Sequence, residues 1–289
     1  MTADPEPANP CRSNVWPLQM LIVVAGLLLL GSALAQPPLN TQPLSQVRLH
    51  SSDEPAYLVE LYTSQGCSSC PPAEQWLSRY AEEPLLWQRY FPLAYHVDYW
   101  DFIGWRDPFA QAQYTQRQQQ LRRNGGSRGI YTPQFAVNGQ EWRGWFAPEA
   151  DKVLPMAIAR QGQLSVQAGP QFLAEYRRVA TGLAATVGKN TDGGRYQLHL
   201  ALVGVGLSTN VDAGENRNRQ LKHSFTVLAY QQSTPLVATE PWLEFTLPPF
   251  ESPLTVEAQK FALVAWVTAA ELPLQIAADW VSIEGEGVP

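Results

Sequence analysis

Two cysteines three positions apart, Cys67 and Cys70, close an apolar run at 57–62 and lead into a helix-like stretch at 71–82. A strand that runs into a Cys-x-x-Cys pair at the start of a helix is the usual setting of dithiol redox chemistry. Unpaired backbone N–H groups and the positive end of the helix dipole favour a thiolate there, and the thiolate is the form that attacks. Cys70 lies within reach on the first turn, so it can resolve a mixed disulfide formed by Cys67. Pro71 and Pro72 fit a helix that starts at the pair, because first-turn N–H groups have no intrahelical bond to lose. Cys67 is therefore the expected nucleophile and Cys70 the expected resolving thiol.

The chain has three cysteines, and the remaining one, Cys11, stands before a nearly unbroken apolar stretch at 18–30. Arg12 upstream and Ala33-Leu34-Ala35 downstream give the pattern of an export signal with a small-residue cleavage site, which makes 1–35 a signal peptide. The apolar segment is slightly shorter than the ~20 residues that span a bilayer, so cleavage is expected, with an uncleaved N-terminal anchor as the alternative. A periplasmic or secreted protein follows from it. Cleavage would leave two cysteines, both in the CxxC, and so a reactive pair rather than a framework of structural disulfides. The net charge of −6 and the lack of a long Lys/Arg cluster argue against nucleic acid as a partner. Protein or small-molecule thiols and disulfides are the expected partners. No phosphate-binding glycine loop or nucleotide fingerprint is present, and the chemistry requires no organic cofactor.

After a Pro-rich, polar linker at 36–55, roughly 250 mature residues exceed a typical single domain, so two domains are expected, at 56–161 and 162–289. In the first, 57–62 and 93–97 read as strands and 71–82 as a helix. Asp107-Pro108 predicts a cap and a helix over 108–122, ended by Gly125-Gly126. Phe135-Ala136-Val137 followed by Asn138-Gly139 predicts a hairpin, and a last helix is expected at 148–159. The order is β-α-β-α-β-β-α. Beyond 161, short apolar or alternating runs at 196–205, 224–230, 242–247 and 261–267 are separated by Gly, Asn, Asp and Pro clusters, which suggests a C-terminal all-β, sandwich-like domain.

Several blocks together resemble one known family. They are the run 59–72 around the CxxC, His96-Val97-Asp98-Tyr99-Trp100-Asp101 with Gly104-Trp105 and Asp107-Pro108-Phe109, Tyr131-Thr132-Pro133-Gln134 with Val137-Asn138-Gly139, and Gly214-Glu215-Asn216-Arg217. The chain is identified by them as a member of the secreted bacterial thioredoxin-like family known as domain of unknown function twelve-twenty-three. The resemblance implies an α/β thioredoxin-like domain, export, and no settled activity. It makes Cys67 and Cys70 the thiol pair of that fold, and Pro133 the proline that is usually cis there and faces the disulfide. Ser68-Ser69 differs from the dipeptides of well-studied oxidoreductases, and this leaves the direction of electron flow open.

Each site residue also has a plainer role. The CxxC could close a small structural loop, although a zinc site would need a second cysteine pair that the mature chain lacks. His96 and Asp98, with Thr132 beside Pro133, are expected around the thiols; His96 could lower the Cys67 pKa, or hydrogen-bond at the sheet edge. Alternatively, Cys67, Cys70 and His96 could hold Cu(I) in a periplasmic metallochaperone. Tyr99, Trp100, Phe102, Trp105 and Phe109 read as a packed aromatic loop, or as an apolar wall for a substrate that Trp142 and Trp145 could extend. Glu215 and Arg217 read as a surface pair, or as part of a loop that reaches the thiol site. His50, His199 and His223 have no sequence partners and read as structural or solvated.

Overall fold

A long β-sheet organises the molecule, because the strands of the C-terminal half carry apolar residues on both faces. The computed structural model describes residues 47–148, 152–178, 194–250 and 256–282. The expected signal peptide and most of the expected linker lie outside them. The described strands are β1 (Arg48–His50), β2 (Tyr57–Thr63), β3 (Tyr90–His96), β4 (Gln134–Val137), β5 (Gln140–Glu141), β6 (Gln163–Gln167) and β7 (Phe172–Arg177). They continue with β8 (Arg195–Val211), β9 (Arg219–Gln232), β10 (Leu236–Val237), β11 (Trp242–Leu247), β12 (Lys260–Ala269) and β13 (Leu272–Val281). The α-helices are α1 (Pro71–Ser78) and α2 (Ala112–Arg123).

The order in the nine-stranded sheet is β13-β12-β8-β9-β3-β2-β4-β5, with β10 paired to β8. Strands β2 and β3 are parallel, β2 and β4 antiparallel, and β3 joins β9 through the Ala94–Thr226 pair. A four-stranded sheet, β1-β6-β7-β11, packs over part of it. On β8, Leu198, Leu200 and Leu202 face that second sheet, whereas Ala201, Val203 and Val205 join a core with Ala73, Trp76 and Leu77 of α1. On β12, Leu263, Ala265 and Val267 and then Ala262, Val264 and Trp266 divide in the same way. Burial on both faces explains why these strands read as continuous apolar runs rather than as alternating ones.

The chain is mostly β, 45% strand against 16% helix, in two sheets; it is not an α/β thioredoxin-like domain followed by a sandwich-like one. The strands expected to form a second domain extend the same sheet that carries β2, β3 and β4. No helix forms over 152–159; Ile158 instead bridges Ala56 by paired backbone hydrogen bonds. Helix α2 begins at Ala112 rather than Pro108: Asp107 Oδ1 accepts from the Phe109 N–H as a cap would, but the Gln111 N–H bonds the His96 carbonyl instead of Asp107's, so that turn does not propagate. The Asn138-Gly139 hairpin is present, with φ of 54° and 76° at its two turn residues, as a type I′ turn requires.

Candidate functional site

The parallel strands β2 and β3 end side by side, Thr63 opposite His96, and the chain leaves β2 directly into the cysteine loop. Cys67 and Cys70 form a disulfide, and Cys70 is the N-cap of α1 with Pro71 and Pro72 in its first turn. Both cysteines are buried, Cys67 at 1% exposure, while Ser68 and Ser69 between them are exposed. The Thr132–Pro133 bond is cis. Tyr62 pairs with Gln134, so Pro133 comes immediately beyond that pair, at the cysteine end of β2. The Thr132 hydroxyl accepts a hydrogen bond from the Trp100 indole at 2.7 Å, and Trp100 with Ile103 packs on Gly66, where an added Cβ would meet both at 3.2 Å.

The β8–β9 loop closes the other side. Asn216, fully buried, donates through Nδ2 to the carbonyls of Gln65 (2.9 Å) and Cys67 (3.0 Å), and its own Oδ1 accepts from Arg219 at 2.6 Å. Glu215 accepts from the Ser68 N–H at 2.9 Å, and its hydrogen bonds to Ser68 hold its carboxyl below the usual value. The polar loop that resembled the family pattern thus clamps the cysteine loop rather than forming a surface pair.

Behind the disulfide lies a buried polar cluster. His96 Nδ1 is 2.7 Å from Asp107 Oδ2, both side chains fully buried. Asp107 also accepts from the backbone N–H groups of Gln65 (2.8 Å) and Phe109 (2.9 Å). Burial pushes Asp107 up, but His96 and these N–H donors outweigh it and hold the carboxyl below its ordinary range. Burial pushes His96 down, and the Asp107 charge and hydrogen bond, with Glu74 beyond, bring it above the ordinary histidine value. Glu74, one helical turn after Cys70, accepts from the Thr63 hydroxyl at 2.7 Å and pairs with His223 Nδ1. Burial raises Glu74, but His223 chiefly, then His96 and Thr63, leave it lowered. The opposite nitrogen of His223 lies 3.1 Å from the Gln65 amide, whose oxygen accepts from Trp105 Nε1 at 3.0 Å.

Among the expected residues, Cys67, Cys70, Pro133 and Thr132 gather at the strand ends, and His96 lies just beneath. Asp98 does not join them: its carboxylate accepts from the Thr115 hydroxyl on α2. The aromatic cluster divides. Phe109 lies edge-on to both His96 and His223, Phe102 is 83% exposed, and Trp142 and Trp145 pack against Trp76. His199 is a core residue stacked on Trp266. His223, expected to be structural or solvated, is buried and bonds Glu74 and Gln65; it stands alone in sequence, and its inward position shows only in its period-two spacing from buried Leu221. Glu74 was legible in principle as the residue at i+4 from Cys70 on a short helix.

Residues 58–268, well over half the chain, match the family model described as "Protein of unknown function (DUF1223)". The chain belongs to the DUF1223 family. The match brings no activity with it. No curated protein matches this DUF1223 chain. Two solved structures are similar. One is a structural-genomics crystal structure of an Agrobacterium tumefaciens protein, 23% identical, TM-score 0.49, covering 82% of this chain and 99% of that one. The other is HBP35 of Porphyromonas gingivalis, 16% identical, TM-score 0.50, covering 83% of this chain and 78% of that one, a likeness of fold alone.

Proposed function

We propose that this DUF1223 protein is an exported thiol–disulfide oxidoreductase that works through Cys67 and Cys70. The observation that carries the proposal is the disulfide itself, set between the end of a buried strand and the first turn of a helix, with an exposed Ser68-Ser69 edge. In the oxidised form a substrate thiolate attacks Cys67 Sγ and the electron pair of the S–S bond leaves on Cys70, which the helix N-terminus favours as a thiolate. A second substrate thiol then expels Cys67 from the mixed disulfide, so that two substrate thiols become one disulfide and the protein gains two electrons. The reverse sequence reduces a substrate disulfide. Because Cys67 is 1% exposed, substrate reaches it when the Glu215–Asn216 clamp or the 98–103 turn moves aside. Cu(I) binding by Cys67, Cys70 and His96 would require the dithiol form, and no observation favours it over exchange.

The test is turnover of a model peptide disulfide and oxidation of a model dithiol, with wild type, Cys67→Ser and Cys70→Ser. The proposal expects activity in wild type, none in Cys67→Ser, and a trapped mixed disulfide in Cys70→Ser. Equal behaviour of all three proteins would remove it.

A further inference from the structure

Glu74, His96 and His223 are all buried, and one donor atom from each lies within 4.8 Å of the others. His96 Nε2 has no hydrogen-bond partner among the described residues, although its residue is fully buried. A fully buried ring nitrogen without a protein partner forfeits a hydrogen bond and asks for a ligand. We propose that Glu74, His96 and His223 form a binding site for a divalent transition-metal ion of the zinc or cobalt kind, directly behind the cysteine loop.

The donors suit such an ion. Imidazole nitrogen and carboxylate oxygen bind zinc and its neighbours, and hard cations that want all-oxygen shells are poorly served. The His96 Nδ1–Asp107 contact is the carboxylate–histidine arrangement that orients a metal-bound ring and leaves Nε2 aimed at the ion. Donors on one zinc ion lie within about 4.2 Å of each other, twice a bond of about 2.1 Å, so modest side-chain shifts close the cluster.

His223 is the residue that must adjust. In the metal-free protein its Nδ1 donates to Glu74 and its Nε2 accepts from the Gln65 amide. When Nδ1 takes the ion, its proton passes to Nε2. The Gln65 amide turns over so that its oxygen accepts that proton, and the half-buried Trp105 indole gives up its bond to Gln65. Thr63 keeps its hold on Glu74 Oε1, which leaves Oε2 for the ion. The site uses neither thiol, and the inference stands apart from the redox proposal.

The experiment uses the full chain in its disulfide form, stripped with a chelator and titrated with Co2+ and then Zn2+. The inference expects one Co2+ per chain, visible d–d absorption without thiolate-to-cobalt charge transfer, and displacement by Zn2+. Glu74→Gln and His223→Ala are expected to weaken uptake at least tenfold, and Asp107→Asn about 10–100-fold as an outer partner. Cys67→Ser/Cys70→Ser is expected to bind as wild type. Absence of uptake by folded wild type overturns the inference whatever the variants do. So does a charge-transfer band, binding lost in the double serine variant, or binding unchanged in folded Glu74→Gln.

Discussion

Asn216 is the residue on which the cysteine loop depends most directly. Its amide satisfies two buried carbonyls at once, those of Gln65 and Cys67. Asn216→Ala leaves the Gln65 carbonyl unpaired and the Cys67 carbonyl with the Cys70 N–H alone, and is expected to cost about 1–3 kcal/mol in urea unfolding. The same variant should speed reduction of the disulfide, read by alkylation of the freed thiols. An unchanged rate would mean that the loop does not guard Cys67. Glu215 adds a pH dependence. Its pKa is lowered by the hydrogen bonds to Ser68, so the contact is fully made above the unfolded value, about 4.3, and is lost as pH falls through the lowered folded value. Reduction by a phosphine, measured against a free model disulfide, should therefore accelerate as pH falls below the ordinary glutamate range in wild type and stay flat in Glu215→Ala. A flat wild-type profile would refute the clamp.

At the scale of elements, turns and strand ends fix where the site residues meet. Gly139 has φ +76°, and a Cβ there would meet the Glu271 carbonyl at 3.1 Å. Gly139→Ala is expected to destabilise by about 1–2 kcal/mol through the left-handed backbone, shown by a lower urea midpoint. No shift would indicate that the hairpin bears little load. Much of this level was legible in sequence: β2, β3, the start of α1, the hairpin, and the centres of β8, β9, β11 and β12 all follow from apolar runs bounded by turn residues. What escaped notice has physical causes. Helix α2 starts four residues after Pro108 because the Gln111 N–H bonds the His96 carbonyl at the end of β3 instead of the Asp107 carbonyl, a tertiary contact that stops the capped turn from propagating. Strands β6 and β7 carry the period-two signal in Leu164, Val166, Phe172, Ala174 and Tyr176, a signal that the sequence expectations did not include. β13 went unread because Pro273 interrupts its run. In the site, the cysteines, Pro133 and His96 were legible, and Glu74 in principle from its place one turn after Cys70, whereas Gln65 and His223 meet only once β9 lies beside β3.

Across the whole molecule, the N-terminal and C-terminal halves share one sheet and one core. Val203, Phe225, Val227 and Trp266 pack in the same cluster as Val59, Leu61, Trp76 and Phe91. A fragment ending at 161 would bare that face and the β3 edge that β9 covers, and would lose His223 and Asn216 from the site. It is expected to stay unfolded or aggregate, shown by a collapsed NMR dispersion, whereas a dispersed spectrum would show an independent first domain. The proposed function requires the Cys67–Cys70 pair to cycle, and its reduction potential decides whether it does. The full chain would be equilibrated in glutathione buffers and its redox state fixed by thiol alkylation. A cycling pair is half-reduced within the range of catalytic disulfides, between about −270 and −120 mV. A pair that remains oxidised throughout, with a potential below about −300 mV, would be a structural disulfide and would contradict the proposed function.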